Sequence, residues 1–351
     1  MKLYVWNDEG EKDTLIRKDY VVVSMQMPKA IIGLPEEGYM SPYTGVFIPV
    51  NVPVTFRDLS TGKPRERKWV FQATDIENST EQNPTVTYLK AGVYSVGLQV
   101  KNDVGTDVDI MQYAIQAGGA QYIWNIDLDE RQQLTQISLS WYGNYAGTNW
   151  LMIDEFAEAF AAPLAPATID SVAVFFASTT TVSPDQPIVV TIREDSLGLP
   201  GKVLARGSVK AGDLVWDDEN VVETMFILDQ TVSVTGKFFV GIGGFPNQEG
   251  DDIAVLCAHR DANGKNTAFH NIDTTQTYEP SGIYSWYSND SDPLSMAISP
   301  VLSYGIPSAI EQVEEASNGS VQIFNLNGQK VNADKAASGL YIINGKKVML
   351  K

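Results

Sequence analysis

Leu98-Gln-Val-Lys-Asn-Asp-Val-Gly105 is the stretch that decides the fold class. Leu98 and Val100 alternate with polar residues, the period of a strand buried on one face. Asn102-Asp-Val-Gly105 carries turn chemistry: Asn and Asp bond their own backbone, and Gly tolerates positive φ. Asp107 to Gln116 then reads as a second strand, so the segment is a β-hairpin. The same pattern occurs near the N-terminus as Leu3-Tyr-Val-Trp-Asn-Asp-Glu-Gly10, followed by a strand-like run from Thr14 to Val23. Both copies give L-x-V-x-N-D-x-G. A lone hairpin is marginal in water. Residues 1–25 are therefore expected to be the last two strands of a sandwich whose first part is absent from the sequence. The copy at Leu98 is expected to end a complete one.

The complete copy carries further motifs in order. They are Val54-Thr-Phe-Arg-Asp-Leu-Ser-Thr-Gly-Lys-Pro64, Trp69-Val-Phe71, Ser79-Thr-Glu-Gln-Asn-Pro-Thr-Val-Thr-Tyr88, and Ala91-Gly-Val-Tyr-Ser-Val-Gly-Leu-Gln-Val-Lys-Asn102. On these residues the stretch 26–118 resembles the PKD (polycystic kidney disease) family of Ig-like β-sandwiches. The resemblance implies that Trp69 fills the space between two sheets. It also implies a spacer or weak binder of surface proteins and exported hydrolases, not a catalyst. The sequence departs from the family after Trp69. The usual W-D-F-G-D-G is here Trp69-Val-Phe-Gln-Ala-Thr74, without either acid, so any role of those acids is in doubt.

Residues 119–306 are long enough to bury a core alone. Strand-like runs recur at 135–141, 171–177, 188–193, 203–209, 221–228, 238–243, 253–258 and 294–300. Separated by turn signals such as Gly198-Leu-Pro-Gly201 and Asp261-Ala-Asn-Gly264, they point to a jelly-roll-like sandwich of two sheets. Asp154 to Ala161 (DEFAEAFA) reads as one or two helical turns before Pro163. The fold class expected is all-β throughout.

Residues 307–351 are a linker and a terminal module of different character. From Ser317 onward Lys330, Lys335, Lys346, Lys347 and Lys351 face Asp334 alone, in a chain otherwise strongly acidic. Asn344-Gly345 is the turn of a tight hairpin between two short apolar-alternating runs. Val321-Gln-Ile-Phe-Asn-Leu-Asn-Gly-Gln-Lys-Val331, Ala337-Ser-Gly-Leu-Tyr-Ile342 and Gly345-Lys-Lys-Val-Met-Leu-Lys351 follow one another. Together they resemble the type A C-terminal sorting domain of the type IX secretion system, a small Ig-like β module. The motif positions are Gly328, Gly339, Tyr341, Gly345, Lys346 and Lys347. The resemblance implies type IX secretion machinery and its sortase as partners, and a secreted or outer-membrane surface location. The N-terminal MKLYVWNDEG has no apolar signal region. An exported chain needs one, so the true start is expected to lie elsewhere.

Composition narrows the function. The net charge is −18 and the pI about 4.5. That excludes nucleic acid, whose phosphates need a basic surface, and adsorption to anionic lipid. No apolar run is long enough to insert in a membrane. The single cysteine, Cys257, excludes an intrachain disulfide.

Catalytic signals are thin. There are two histidines, His259 and His270, and no G-x-S-x-G, H-E-x-x-H or phosphate loop. Cys257 and His259, two apart on a strand, could join His270 around zinc. The bland alternative is a buried thiol beside an edge imidazole. Acidic clusters at Asp127/Asp129/Glu130, Asp217/Asp218/Glu219 and Asp290/Asp292 have the oxygen donors calcium uses, though none follows the EF-hand spacing. Asp127, Asp129, Asp290 and Asp292 are the metal candidates, against the alternative of solvated loops. No other cofactor is implied.

Aromatic residues cluster in polar, Gly-rich context at Trp141, Tyr142, Tyr145 and Trp150, and at Tyr284, Trp286 and Tyr287. Such rings suit sugars, whose C–H faces stack while hydroxyls take polar partners. The alternative is core packing. The sequence thus reads as a non-catalytic modular surface protein with a glycan or host protein as ligand. The rival readings are the C-terminal accessory region of an exported protease or glycoside hydrolase, and an enzyme within the jelly roll.

Overall fold

The computed structural model describes residues 2–16, 26–41, 45–127, 130–151, 153–217, 220–260, 265–273, 284–305, 323–325, 330–331, 339–343 and 346–350. The fold is all-β; among the described residues the helical turns are three short 3-10 segments. No helix there is long and apolar enough to cross a membrane.

The hairpin read at Leu98 forms. Gly92–Lys101 pairs antiparallel with Thr106–Ala117, with a bulge between Tyr94 and Val96. Asn102 makes the turn: its Oδ1 accepts the N–H groups of Val104 (2.8 Å) and Gly105 (3.1 Å). Its Nδ2 donates to the carbonyls of Gln26 (2.7 Å) and Gly62 (2.8 Å), stitching the turn to the rest of the sandwich. The hairpin sits inside a six-stranded sheet, between Val46–Ile48 on one side and Glu66–Val70 on the other. The facing layer is two short pairs, Pro53–Thr55 with Thr85–Thr87 and Ile32–Gly33 with Arg57–Asp58. Between the layers Trp69 is fully buried, stacked on Phe71 at 5.9 Å with Phe56 at 6.0 Å. Its indole N–H, which could not be left unpaired there, donates to the Glu81 carbonyl at 3.0 Å.

The larger sandwich folds two sheets over one apolar core. One sheet runs Gly119–Tyr122, Ile298–Tyr304, Ala167–Thr180, Glu223–Val234. The other runs Leu199–Lys210, Pro187–Ser196, Phe238–Gly243, Ile153–Phe160, Ala268–Asp273, Tyr284–Ser288. They meet at a single pairing, Gly207 with Leu228. The two cores are joined. Phe47 packs on Tyr304 (4.8 Å between rings), the Tyr39 hydroxyl donates to the Ala161 carbonyl, and the Trp124 N–H donates to the Met40 carbonyl (3.1 Å).

Two sequence expectations fail here. The helical reading of 154–161 is wrong: Ile153–Phe160 is an interior strand, paired antiparallel with Phe238–Gly243 and Ala268–Asp273. Phe156 and Phe160 enter the main core, while Ala157 and Ala159 meet Phe239 and Phe269 on the opposite face. Burial on both faces overrides the helix propensity of Glu and Ala. The run 135–141 is no strand: it makes isolated bridges from Thr135 to Cys257 and Ser138 to Asn144, then a 3-10 turn at Ser140–Tyr142.

At the C-terminus a four-stranded antiparallel sheet has the order Lys330–Val331, Ile323–Asn325, Gly339–Ile343, Lys346–Leu350. Gly339, Tyr341, Lys346 and Lys347 lie on its strands. Gly328 and Gly345 lie outside the described residues. At the N-terminus Lys2–Trp6 and Lys12–Ile16 pair as a two-stranded sheet.

Replacing Trp69 by Ala removes the central ring of the smaller sandwich and leaves a cavity. The expected loss is about 3–5 kcal/mol in urea unfolding. A loss under about 1 kcal/mol would show that this indole is not the core's keystone.

Candidate functional site

The aromatic clusters occupy one end of the larger sandwich. The first is built on a compact loop, 137–150, that leads into Ile153–Phe160. Its backbone folds back on itself. Leu139 N–H donates to the Gly143 carbonyl (2.7 Å), Asn144 N–H to Thr148 (2.8 Å), and Trp150 N–H to Tyr142 (2.8 Å). Ser140 sits at φ 58° and Gly143 at φ 95°. A Cβ on Gly143 would collide with the Thr148 carbonyl and Asn149 Cα, so only glycine allows this crossing. Asn149 closes the loop, its Oδ1 accepting the N–H groups of Leu151 (3.1 Å) and Ile153 (3.2 Å).

This frame sorts the rings. Trp141 stands 93 % exposed at the turn, with Tyr142 and Trp150 exposed beside it. Tyr145 is the opposite. It is buried against Phe156 (4.9 Å), so the expectation that it belongs to an exposed group is corrected: its Ile137 pairing turns it inward.

The second cluster reaches the same end through the sheet. Ile153 pairs with Ile272, Ile272 with Ser285, and Asp273 with Tyr284. Alternation then splits the edge strand. Tyr287, exposed, lies on the His270 side, stacked on that imidazole at 5.9 Å. His270 in turn meets the Tyr145 ring edge-on at 6.1 Å, linking the two clusters. Tyr284 and Trp286 lie on the other face. Trp286 is half-buried on the Phe239–Phe269 group under the Arg193 guanidinium, 5.4 Å from its centroid. Trp141, Trp150 and Trp286 therefore do not share one groove. The signal for this split was available in sequence: Trp286 and Tyr287 are adjacent on a strand.

The ionisable groups nearby are held by structure. Glu158 is fully buried and accepts from Asn125 Nδ2 (2.7 Å), Ser295 Oγ (2.8 Å) and Met296 N–H (2.9 Å). Burial nonetheless holds its carboxyl above the usual range. Glu155 accepts from Thr191 Oγ1 (2.5 Å) and makes a two-pronged ion pair with Arg193. Burial pushes the Cys257 thiol and the Tyr145 hydroxyl up, keeping both protonated. Asp154 is raised by burial and by neighbouring Glu155.

The metal candidates are placed as follows. Among the described residues no three His, Cys, Asp or Glu side chains gather around one point. Cys257 Sγ faces the Val255 carbonyl in the core, while His259 is exposed against Asp292 (3.2 Å) and His270 lies between tyrosines. Asp290 accepts from Ser288 Oγ (2.7 Å), and the Asp127 N–H donates to Glu130 (2.9 Å). Asp129 lies outside the described residues.

Two grooves lie elsewhere, on the outer face of the smaller sandwich's sheet. One, of about 600 Å³, is lined by Glu66, Lys68, Ser79 and Lys101. The other, of about 380 Å³, runs over Val70, Gly97, Val108 and Ile110. Sequence reasoning singled out neither, because every second residue of an exposed strand looks alike until its sheet is assembled.

Residues 40–112 match the PKD domain family. No curated protein matches the chain in sequence. Among solved structures, the chain is similar to one described under carbohydrate-binding modules of the β-sandwich superfamily, at 15% identity and TM-score 0.23, covering 67% of this chain and 97% of that one. It is also similar to a SusE-like protein at 10% identity and TM-score 0.22, covering 63% and 96%. Likenesses at these scores are weak.

His270 links this site to pH. Burial pulls its pKa below the ordinary 6.5. The unfolded chain then binds the proton more readily than the folded one. The stability His270 contributes is full above pH 6.5 and is lost as pH falls through that value towards the folded pKa. An NMR titration is expected to give His270 a midpoint below 6.5, and His270→Gln to remove this part of the acid destabilisation. A midpoint at or above 6.5 would contradict the packing between Tyr145 and Tyr287.

Proposed function

We propose that this chain is a non-catalytic binding and scaffolding protein whose ligand is a glycan, stacked on Trp141, Tyr142 and Trp150, with Tyr287 at its margin. One observation carries the reading. Trp141 is held out in water by a loop locked through Gly143 and its own backbone hydrogen bonds, in place of collapsing onto the core. An exposed indole on a rigid support is preorganised, so little conformational freedom is lost on binding. Sugar rings offer C–H faces to such planes and hydroxyls to polar neighbours. A flat platform needs no deep pocket.

The non-catalytic part rests on the buried groups. Perturbed titrations mark catalytic sites when the groups face a cleft. Glu158, Glu155 and Cys257 instead face the interior and are bound by protein partners.

Export is the second part of the proposal. The basic terminal strands, with Gly339, Tyr341, Lys346 and Lys347, serve as the label read by type IX machinery and its sortase, placing the chain on the cell surface.

Two experiments test these parts. On a glycan array the chain is expected to retain a set of oligosaccharides. Trp141→Ala and Trp150→Ala should each weaken that binding about tenfold, the loss of one anchoring aromatic. Unchanged binding in both variants would remove these residues from the site. In a type IX-secreting bacterium, with the chain placed behind a cleavable signal peptide, deleting residues 317–351 is expected to retain the protein inside the outer membrane. Undiminished surface display would contradict the export label.

A further inference from the structure

We infer that Lys2–Trp6 and Lys12–Ile16 are the closing hairpin of a second PKD-type sandwich, covered in the assembled protein by strands that precede them in the same polypeptide. Three observations carry this. First, the turns are the same device. Asn7 Oδ1 accepts the N–H groups of Glu9 (3.1 Å) and Glu11 (2.9 Å), as Asn102 Oδ1 accepts those of Val104 (2.8 Å) and Gly105 (3.1 Å). The first loop is one residue longer: Trp6 pairs with Lys12, whereas Lys101 pairs with Thr106.

Second, the inward positions of the first strand correspond. Leu98 and Val100 point into the complete sandwich and are fully buried under the layer holding Val54, Phe56 and Val86, beside Trp69 of their own sheet. Their counterparts Leu3 and Val5 are 56 % and 54 % exposed, and Leu15, the cross-strand partner of Leu3, is exposed with them. A two-stranded sheet with this apolar face is not stable uncovered.

Third, the stitching group reaches no second layer. Asn102 Nδ2 reaches the carbonyls of Gln26 and Gly62, which lie on chain that precedes the hairpin. Asn7 Nδ2 is turned back to Glu11 of its own loop at 3.3 Å. The sandwich at 26–118 cannot be the missing cover, because Gly92–Lys101 and Thr106–Ala117 already fill that place in it. The order of the complete copy, with covering strands first and hairpin last, puts the cover N-terminal to Leu3.

Hydrogen exchange read by mass spectrometry tests this. In the 1–351 chain the amides of residues 3–6 and 12–16 are expected to exchange close to the unprotected rate. Residues 26–97 are then duplicated in front of Leu3, joining a second copy of Gly97 to it as the repeat prescribes. That extension should raise hairpin protection about 100-fold or more, as in a cooperatively closed unit. Leu3→Asp in the extended chain should abolish the gain and leave the sandwich at 26–118 unchanged. The inference is overturned if the hairpin is already protected in the 1–351 chain, or if the extension brings no protection. It is also overturned if the 1–351 chain is a dimer by light scattering that Leu3→Asp dissociates, since the cover would then be a second copy.

Discussion

The antiparallel pairing of Ile153–Phe160 between its two neighbours is the constraint on which the candidate site depends. This strand takes direction from Phe156 and Phe160, which can be buried only if they point into the core. Glu158, on that side, is pinned by Asn125, Ser295 and Met296. Glu155 points the other way and is pinned by Arg193. A one-residue slip would exchange these faces and strand two carboxylates without partners. With the register fixed, the loop carrying Trp141 must enter beside Ile272, and the edge strand carrying Tyr284 and Tyr287 must lie one strand further out.

The same buried carboxylate belongs to a group of perturbed titrating side chains inside this end of the sandwich. Burial raises the proton affinity of Glu158, Tyr145 and Cys257, and the nearby Glu158 carboxyl adds to the rise at Cys257 and Tyr145. Their shifts arise from desolvation, which acts equally in a structural network and in an active site. What separates the two is where the groups face. The exposed rings at this end are Trp141, Tyr142, Trp150 and Tyr287.

Much of the fold was legible in the sequence, because hairpins are local. The alternation at Leu98 and Val100 and the turn at Asn102 need only near neighbours, and the strands near 171–177, 188–193, 203–209 and 238–243 announce themselves by β-branched runs. Asp154–Ala161 failed because Phe156 and Phe160 stand four apart, a helical spacing, and equally two alternations apart on a strand. Only the neighbours Phe238–Gly243 and Ala268–Asp273 break that tie. The candidate site was legible in kind and not in membership. Trp141, Tyr142 and Trp150 are on the surface as their polar context implied, but Tyr145 turns inward because the chain reverses at Gly143. Trp286 leaves the group because a strand sends adjacent residues to opposite faces.

The most direct test of the central claim is an NMR titration following the indole N–H signals of the seven tryptophans as neutral oligosaccharides are added. The account predicts that Trp141 and Trp150 shift in a saturable way while Trp69 and Trp124, buried in their cores, stay still. Saturable binding that leaves the Trp141 and Trp150 signals unmoved would contradict it.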